Sequence, residues 1–483
     1  MIDGNAGADV ACSRRSRGVG AAIAMAMVAL LGACGQRGQA PAETSPVGPV
    51  PASPQRAGDP ARGYKALINQ PYIHCGLPWN AYRKAAAPPS NDQLLPGREG
   101  RNAELPYQLT AYTARSGVEL VVNNCLTCHA GYFNGKLIVG LGNESLDFTE
   151  EPARRAEAAG AYVETSAEAA EWRRWADVIR ATSAYATTDT VGTNPALTLT
   201  LALIAHRDPK TLAWSDEPLL KLPPRRAVPA SVPPWWRMSK KNALFSNTEA
   251  RGDHARAMML AALFCNEDRR AVEEVDVYAP DIRAYLASIP PPQWPYDVDR
   301  NLAATGREVF ERTCSACHGH YGEQSSYPNL VVALDVVGTD PDLALYPGDE
   351  DPLRFARWFN GSYYGELAYT APAPGYIAPP LDGVWATAPY LHNGSVPTLE
   401  ALLDSSRRPR YWTRSFRSDD YDPRTLGWRY QTLQQGKAQT ADREQRKRVY
   451  DTTLPGYSNA GHRFGDALTD AERRAVLEYI KTL

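Results

Sequence analysis

Two short stretches of this chain, Cys125-Leu126-Thr127-Cys128-His129 and Cys314-Ser315-Ala316-Cys317-His318, place two thiols three residues apart with an imidazole directly after the second. On a short helical turn, both sulfurs can add to the two vinyl groups of one haem while the histidine is carried to the iron as proximal ligand. A single CxxCH also fits a redox or zinc site. Two on one chain, without further Cys pairs, predict two covalently bound haem c groups.

The flanks of the second motif predict its surroundings. Leu302, Gly306, Val309, Phe310 and Thr313 recur at helical spacing before Cys314, and Gly306 on that stripe allows another helix to cross closely. The natural partner is the C-terminal segment, where Thr469 and Glu472 form a capping box ahead of Val476, Tyr479, Ile480 and Leu483. This crossing around CxxCH resembles the class I cytochrome c fold, in which the distal iron ligand comes from the loop before the last helix. That loop here is Gly456 to Phe464 with one imidazole, so His462 is the expected sixth ligand of the second haem. His392 is the alternative, and an open or Tyr-ligated iron is the third. No Met follows Met259, and His320 stands too close to His318 to reach the other haem face.

The first motif has no comparable partner. His74, His206, His254, Met238, Met258 and Met259 are all available, and none stands in so clear a pattern. A haem without a sixth protein ligand has room for dioxygen or peroxide. The stretch Val232-Pro233-Pro234-Trp235-Trp236-Arg237-Met238, followed by Lys240, Lys241 and Phe245, offers bulky side chains that would control access to such a haem. The plain alternative is core packing.

The chain begins with a targeting pattern: a basic region at Arg14, Arg15 and Arg17, an apolar run over 19–31, and Leu31-Gly32-Ala33-Cys34, which looks like a bacterial lipobox. Residues 1–33 are read as a signal peptide and 34–60 as a lipidated, Pro/Ala-rich tether; an ordinary secretory signal with Cys34 incidental is the other reading. Either predicts export to the periplasm or cell envelope, with membrane contact only through the lipid. Cys75 and Cys265 remain outside the motifs, to form a disulfide or stay as buried thiols. A net charge of −2 gives no electrostatic argument for nucleic acid, so the expected partners are a redox protein or a small-molecule oxidant.

The stretch Pro379-Pro380-Leu381-Asp382-Gly383-Val384-Trp385-Ala386-Thr387-Ala388-Pro389-Tyr390-Leu391-His392-Asn393-Gly394-Ser395-Val396-Pro397-Thr398-Leu399 resembles a segment shared by bacterial dihaem cytochrome c peroxidases and the dihaem enzyme that matures tryptophan tryptophylquinone. From Trp385 onward it looks closest to the dihaem rubber oxygenases. That resemblance implies dioxygen binding at the N-terminal haem and a C-terminal haem held by two histidines, here His318 and His462. It also implies that Trp236 lies beside the reactive haem. His392 then reads as a residue near the second haem or the junction between haems, where a hydrogen bond tunes potential, or as a turn residue bonding its own loop.

The expected fold is mainly α, with two class I cytochrome c-like haem domains and long irregular loops: residues 61–295 and 296–483, divided at a Pro-rich boundary over 288–297. Helices are expected around Ala167 to Ala181 and Ala255 to Cys265, and loop between Tyr321 and Tyr376. The expected function is a dihaem oxidoreductase activating dioxygen or peroxide at the N-terminal haem, with the C-terminal haem relaying electrons. A non-catalytic dihaem electron-transfer protein is the rival.

Overall fold

In a computed structural model of the chain, the structure describes residues 47–346, 349–351 and 353–483. The signal segment, Cys12, Cys34 and the first part of the tether lie outside these residues. Helix α1 spans Pro60–Asn69, α2 Ser166–Thr182, α3 Ala279–Ser288, α4 Arg300–Thr313, α5 Leu353–Gly361 and α6 Asp470–Ile480. Local chemistry sets their starts. Asp59 caps α1 by accepting from the Arg62 N–H at 2.7 Å, Asp299 caps α4, and Thr469 and Glu472 bond each other's backbone N–H groups at the start of α6.

Helices α4 and α6 cross where the sequence pattern puts them. A Cβ on Gly306 would run into the Ala475 carbonyl, so only glycine allows this approach. Helices α1 and α3 cross in the same manner at Gly63, against the Asp281 backbone. Arg62 also pairs with Asp281 at 2.8 Å across that crossing.

The expectation of a mainly α chain with two class I cytochrome c-like domains is overturned. The chain is 39% helical and 13% strand, with several small sheets, and two such domains are not found. The reason lies between α1 and the first motif. Leu109–Thr113 and Glu119–Asn123 are rich in β-branched residues, flank a turn at Gly117 (φ +82°), and pair antiparallel, with Leu77–Pro78 added on the other edge. The first CxxCH therefore follows a strand and opens straight into the hairpin Ala130–Phe133/Lys136–Val139. Only the second follows a long helix.

Nor does the hydrophobic core part at residues 288–297. One buried cluster joins Ile68, Leu126, Trp235 and Leu263 to Phe355, Trp358, Phe359 and Tyr364, and the Trp358 indole donates to the Arg207 carbonyl at 2.8 Å. A second joins Phe133, Leu141 and Trp236 to Val309, Val384, Trp385 and Leu477. The interval expected to be loop supplies α5, whose Phe355, Ala356, Trp358 and Phe359 form one buried face, and a strand Leu330–Ala333. The expected helix at 255–265 is divided between an α-helix His254–Met258 and a 3-10 turn Met259–Phe264. The described end of the tether is packed down: Gly48–Pro49 pairs with that strand, and Arg56 binds Asp253 and Asp276. Cys75 and Cys265 form a disulfide with Cα atoms 5.4 Å apart. Among the described residues, no helix is long and apolar enough to cross a membrane.

Because overpacking a close helix contact costs about 1–3 kcal/mol, Gly306→Ala is expected to lower the thermal midpoint by several degrees. Gly361→Ala, which meets nothing within 4 Å in a helical segment, is the control and should leave the midpoint unchanged or raise it slightly. Equal midpoints for the two variants would rule out the close crossing.

Candidate haem sites

At the second motif the chain continues from α4 into a tight turn: the Cys317 and His318 N–H groups both donate to the Cys314 carbonyl, at 3.2 and 3.0 Å. The His318 ring bonds the Pro379 carbonyl through Nδ1 at 2.8 Å, which fixes the tautomer and leaves Nε2 for a metal. Tyr321 braces this arrangement, donating its hydroxyl to the His318 carbonyl at 2.9 Å and accepting the Leu381 N–H at 2.6 Å.

Facing His318 is His462, with ring centroids 6.2 Å apart. A metal bound by two imidazoles needs about 2 Å to each nitrogen and roughly 1 Å more to each ring centre, so the spacing suits one iron between them. The loop carrying His462 is held by backbone chemistry. His462 has φ +45° and its N–H donates to the Val337 carbonyl at 2.6 Å, while Gly461 lies so close to Gly338 that any side chain would collide. Arg408 grips the loop from the other side, donating to the carbonyls of Asn459, Gly461 and His462 at 2.8, 2.6 and 3.0 Å. Burial pushes the His462 pKa down to about 4, helped by His318 and Arg408, and burial also lowers that of His318. Both rings are therefore neutral near pH 7, the form that binds iron.

The first motif is built differently. The His129 N–H donates to the Cys125 carbonyl at 3.1 Å, and Leu126 is fully buried as the anchor of the turn. Asn143 holds the loop through its N–H on the Cys128 carbonyl at 2.9 Å, and the Asn194 amide reaches the Cys128 sulfur at 3.6 Å. Cys125 and Cys128 are unpaired, as are Cys314 and Cys317, so all four thiols remain for thioether formation. Trp235 stacks on the His129 ring with centroids 4.7 Å apart and planes 19° from parallel. Burial lowers the His129 pKa to about 4, against the Pro233 carbonyl.

No described histidine faces His129 as His462 faces His318. His206 stacks on Trp214 and His74 on Tyr112, each committed elsewhere. Met238 and Met259 are core residues of the same cluster as Trp235 and Leu126. The indole of Trp236, the aromatic expected beside the first haem, donates to the Asp382 carbonyl at 2.8 Å. The adjacent Trp235 takes the stacking position. The His392 ring stacks on Tyr376 at 4.1 Å, and its carbonyl accepts the Ser231 N–H at 2.7 Å. His320 is exposed and paired with Glu311. Residues that the sequence reading did not single out are Pro379 as acceptor for His318, Arg408, Asn143 and Asn194.

Residues 375–413, the segment holding Pro379, Asp382 and His392, match the family model described as RoxA-like, cytochrome c-like. That match supports a cytochrome c of the rubber oxygenase-like kind, and it implies covalently bound haem c with a haem-based redox function. Two proteins of Sinorhizobium fredii (strain NBRC 101917 / NGR234) are similar to part of the chain. "Uncharacterized protein y4iJ" is 31% identical over 40% of this chain and 41% of its own length; "Uncharacterized protein y4iM" is 29% identical over 41% and 52%. The chain thus spans about half the length of these relatives or less.

Replacing His462 removes the ring that faces His318. In ferric His462→Ala we expect a high-spin charge-transfer band to appear in the visible spectrum with the haem content unchanged. An unaltered low-spin spectrum would exclude His462 as a ligand.

Proposed function

We propose that this chain is an exported dihaem c-type cytochrome oxidoreductase. The haem on Cys125, Cys128 and His129 would activate dioxygen or peroxide, and the haem on Cys314, Cys317, His318 and His462 would relay electrons. The observation that carries this reading is the inequality of the two histidines: His318 has a second imidazole opposite it, and His129 has none among the described residues.

What the chain supplies between the sites supports a relay. Trp235 lies on His129, and Trp236, its neighbour in sequence, donates to the Asp382 carbonyl. Three residues earlier, the Pro379 carbonyl accepts from His318. A continuous tract of ring contact, peptide backbone and hydrogen bonds thus joins the two iron-binding imidazoles. Arg237 reinforces it, donating to the same Asp382 carbonyl at 3.1 Å. The Cys75–Cys265 disulfide accords with the proposed periplasmic or envelope location, where the tether would hold the enzyme by a lipid on Cys34. A tethered enzyme of this kind meets diffusing substrates and a redox partner.

The test is optical. After partial reduction, the Soret band of the purified protein is expected to change on adding dioxygen or hydrogen peroxide, with the low-spin component retained. If both haems are low-spin and indifferent to either oxidant, the chain is an electron carrier and the catalytic reading fails.

A further inference from the structure

Three basic side chains from three different segments converge near the first haem site, and none of them has an anionic partner among the described residues. Lys241 directly follows the 3-10 turn Trp235–Lys240, His254 opens the short helix His254–Met258, and Arg283 lies in α3. Lys241, Arg283 and Asp253 are all close enough to His254 to act on it electrostatically, though no carboxylate is bonded to its ring. His254 is 2% exposed, yet neither ring nitrogen makes a well-formed hydrogen bond, and burial pushes its pKa down to about 4, so the ring is neutral near pH 7. The Arg283 Nε is buried without a partner. The Lys241 ammonium is in no ion pair, and burial with Arg237 nearby pushes its pKa down to about 8.

The obvious internal counter-charge is already taken. Asp253, next to His254, accepts from the Arg56 backbone at 2.9 Å and side chain at 3.0 Å, and caps its own helix through the Arg256 N–H at 2.7 Å. Two half-buried cations beside a buried imidazole with both nitrogens unsatisfied and no carboxylate bonded to any of them are an unfavourable grouping, because the repulsion between the cations and the unmet hydrogen bonds of the ring have nothing to offset them. Such a cluster is stable when it receives an anion. A partner protein's acidic side chain cannot reach a histidine this buried, so the anion must be enclosed with it.

The position of the cluster says which anion. Trp235, at the start of the turn that leads to Lys241, lies on His129, and the turn packs against α3. Tyr278, the residue just before α3, is within electrostatic reach of Cys125. Five residues on, about 7 Å along the axis at 1.5 Å per residue, α3 presents Arg283. The start of α3 thus lies on the side of Cys125, with Arg283 more than one turn further along the helix. A haem c carries its two thioether bonds on one edge and its two propionate carboxylates on the other.

We propose that Lys241, His254 and Arg283 form the carboxylate-binding end of the first haem site, pairing with the propionates of the haem attached to Cys125 and Cys128. This rests on the haem attachment proposed above. The guanidinium of Arg283 suits bidentate pairing with one carboxylate, and Lys241 supplies a mobile charge for the other. His254 is then a hydrogen-bond donor to a propionate and not an iron ligand. Neutralising the propionates also favours the reduced iron, so the cluster holds up the potential of the first haem alone.

The test uses the full, haem-loaded chain. In Arg283→Leu and in Lys241→Met, the propionate-bending bands of one haem should shift in the resonance Raman spectrum, and one of two potentiometric waves should move to lower potential. Arg283→Lys should restore most of both, and it decides the matter if Arg283→Leu does not fold. Two haems per chain with unmoved bands and unmoved waves in both variants would overturn the propionate assignment while leaving the haem attachment intact. A single haem per chain, on Cys314 and Cys317, would overturn the attachment and the assignment together.

Discussion

The turn Trp235–Lys240 is the constraint on which the rest of the molecule depends. Its first residue stacks on His129, and its next members grip one residue of the C-terminal half. Trp236 and Arg237 donate to the Asp382 carbonyl, and Lys240 pairs with the Asp382 carboxylate at 2.7 Å. Asp382 lies in the same short segment as Pro379, whose carbonyl orients His318. Six consecutive residues and one acidic residue thereby set the positions of two histidines that are 189 residues apart in sequence. This is why both buried clusters draw on each side of the Pro-rich stretch at 288–297.

Around that clamp the two sites diverge for identifiable reasons. The second is backed by a helix crossing and closed by a loop that glycine, a left-handed histidine and Arg408 hold in place. The first sits between a small sheet and a hairpin, with an aromatic plate against its histidine and, among the described residues, no imidazole opposite. The supports of the second site hold a ligand rigidly, which suits a centre that passes electrons without rearranging. Those of the first fix the histidine from one side, through the ring of Trp235.

Much of the second site was legible in the sequence because its signals are local. A helical stripe with Gly306, a capping box at Thr469 and one imidazole in a glycine-rich loop each have a single plausible geometry. The first half was less legible, since Leu109–Thr113 and Glu119–Asn123 are too short for periodicity to separate strand from loop without the Ser116-Gly117 turn signal. Helix α5 was missed because its stripe of Phe355, Ala356, Trp358 and Phe359 lies in a long stretch rich in Gly, Pro and Asp. Which of Trp235 and Trp236 stacks on His129 could not be read at all: neighbours on a 3-10 turn point to different sides, and only tertiary contacts say which ring meets the histidine. Backbone acceptors such as Pro379 leave no mark in a sequence.

The inequality of the two irons is the central claim, and low-temperature electron paramagnetic resonance of the resting ferric protein tests it most directly. One high-spin and one low-spin signal of equal intensity, two irons per chain, is the predicted spectrum. Two low-spin signals, with no high-spin species, would contradict it.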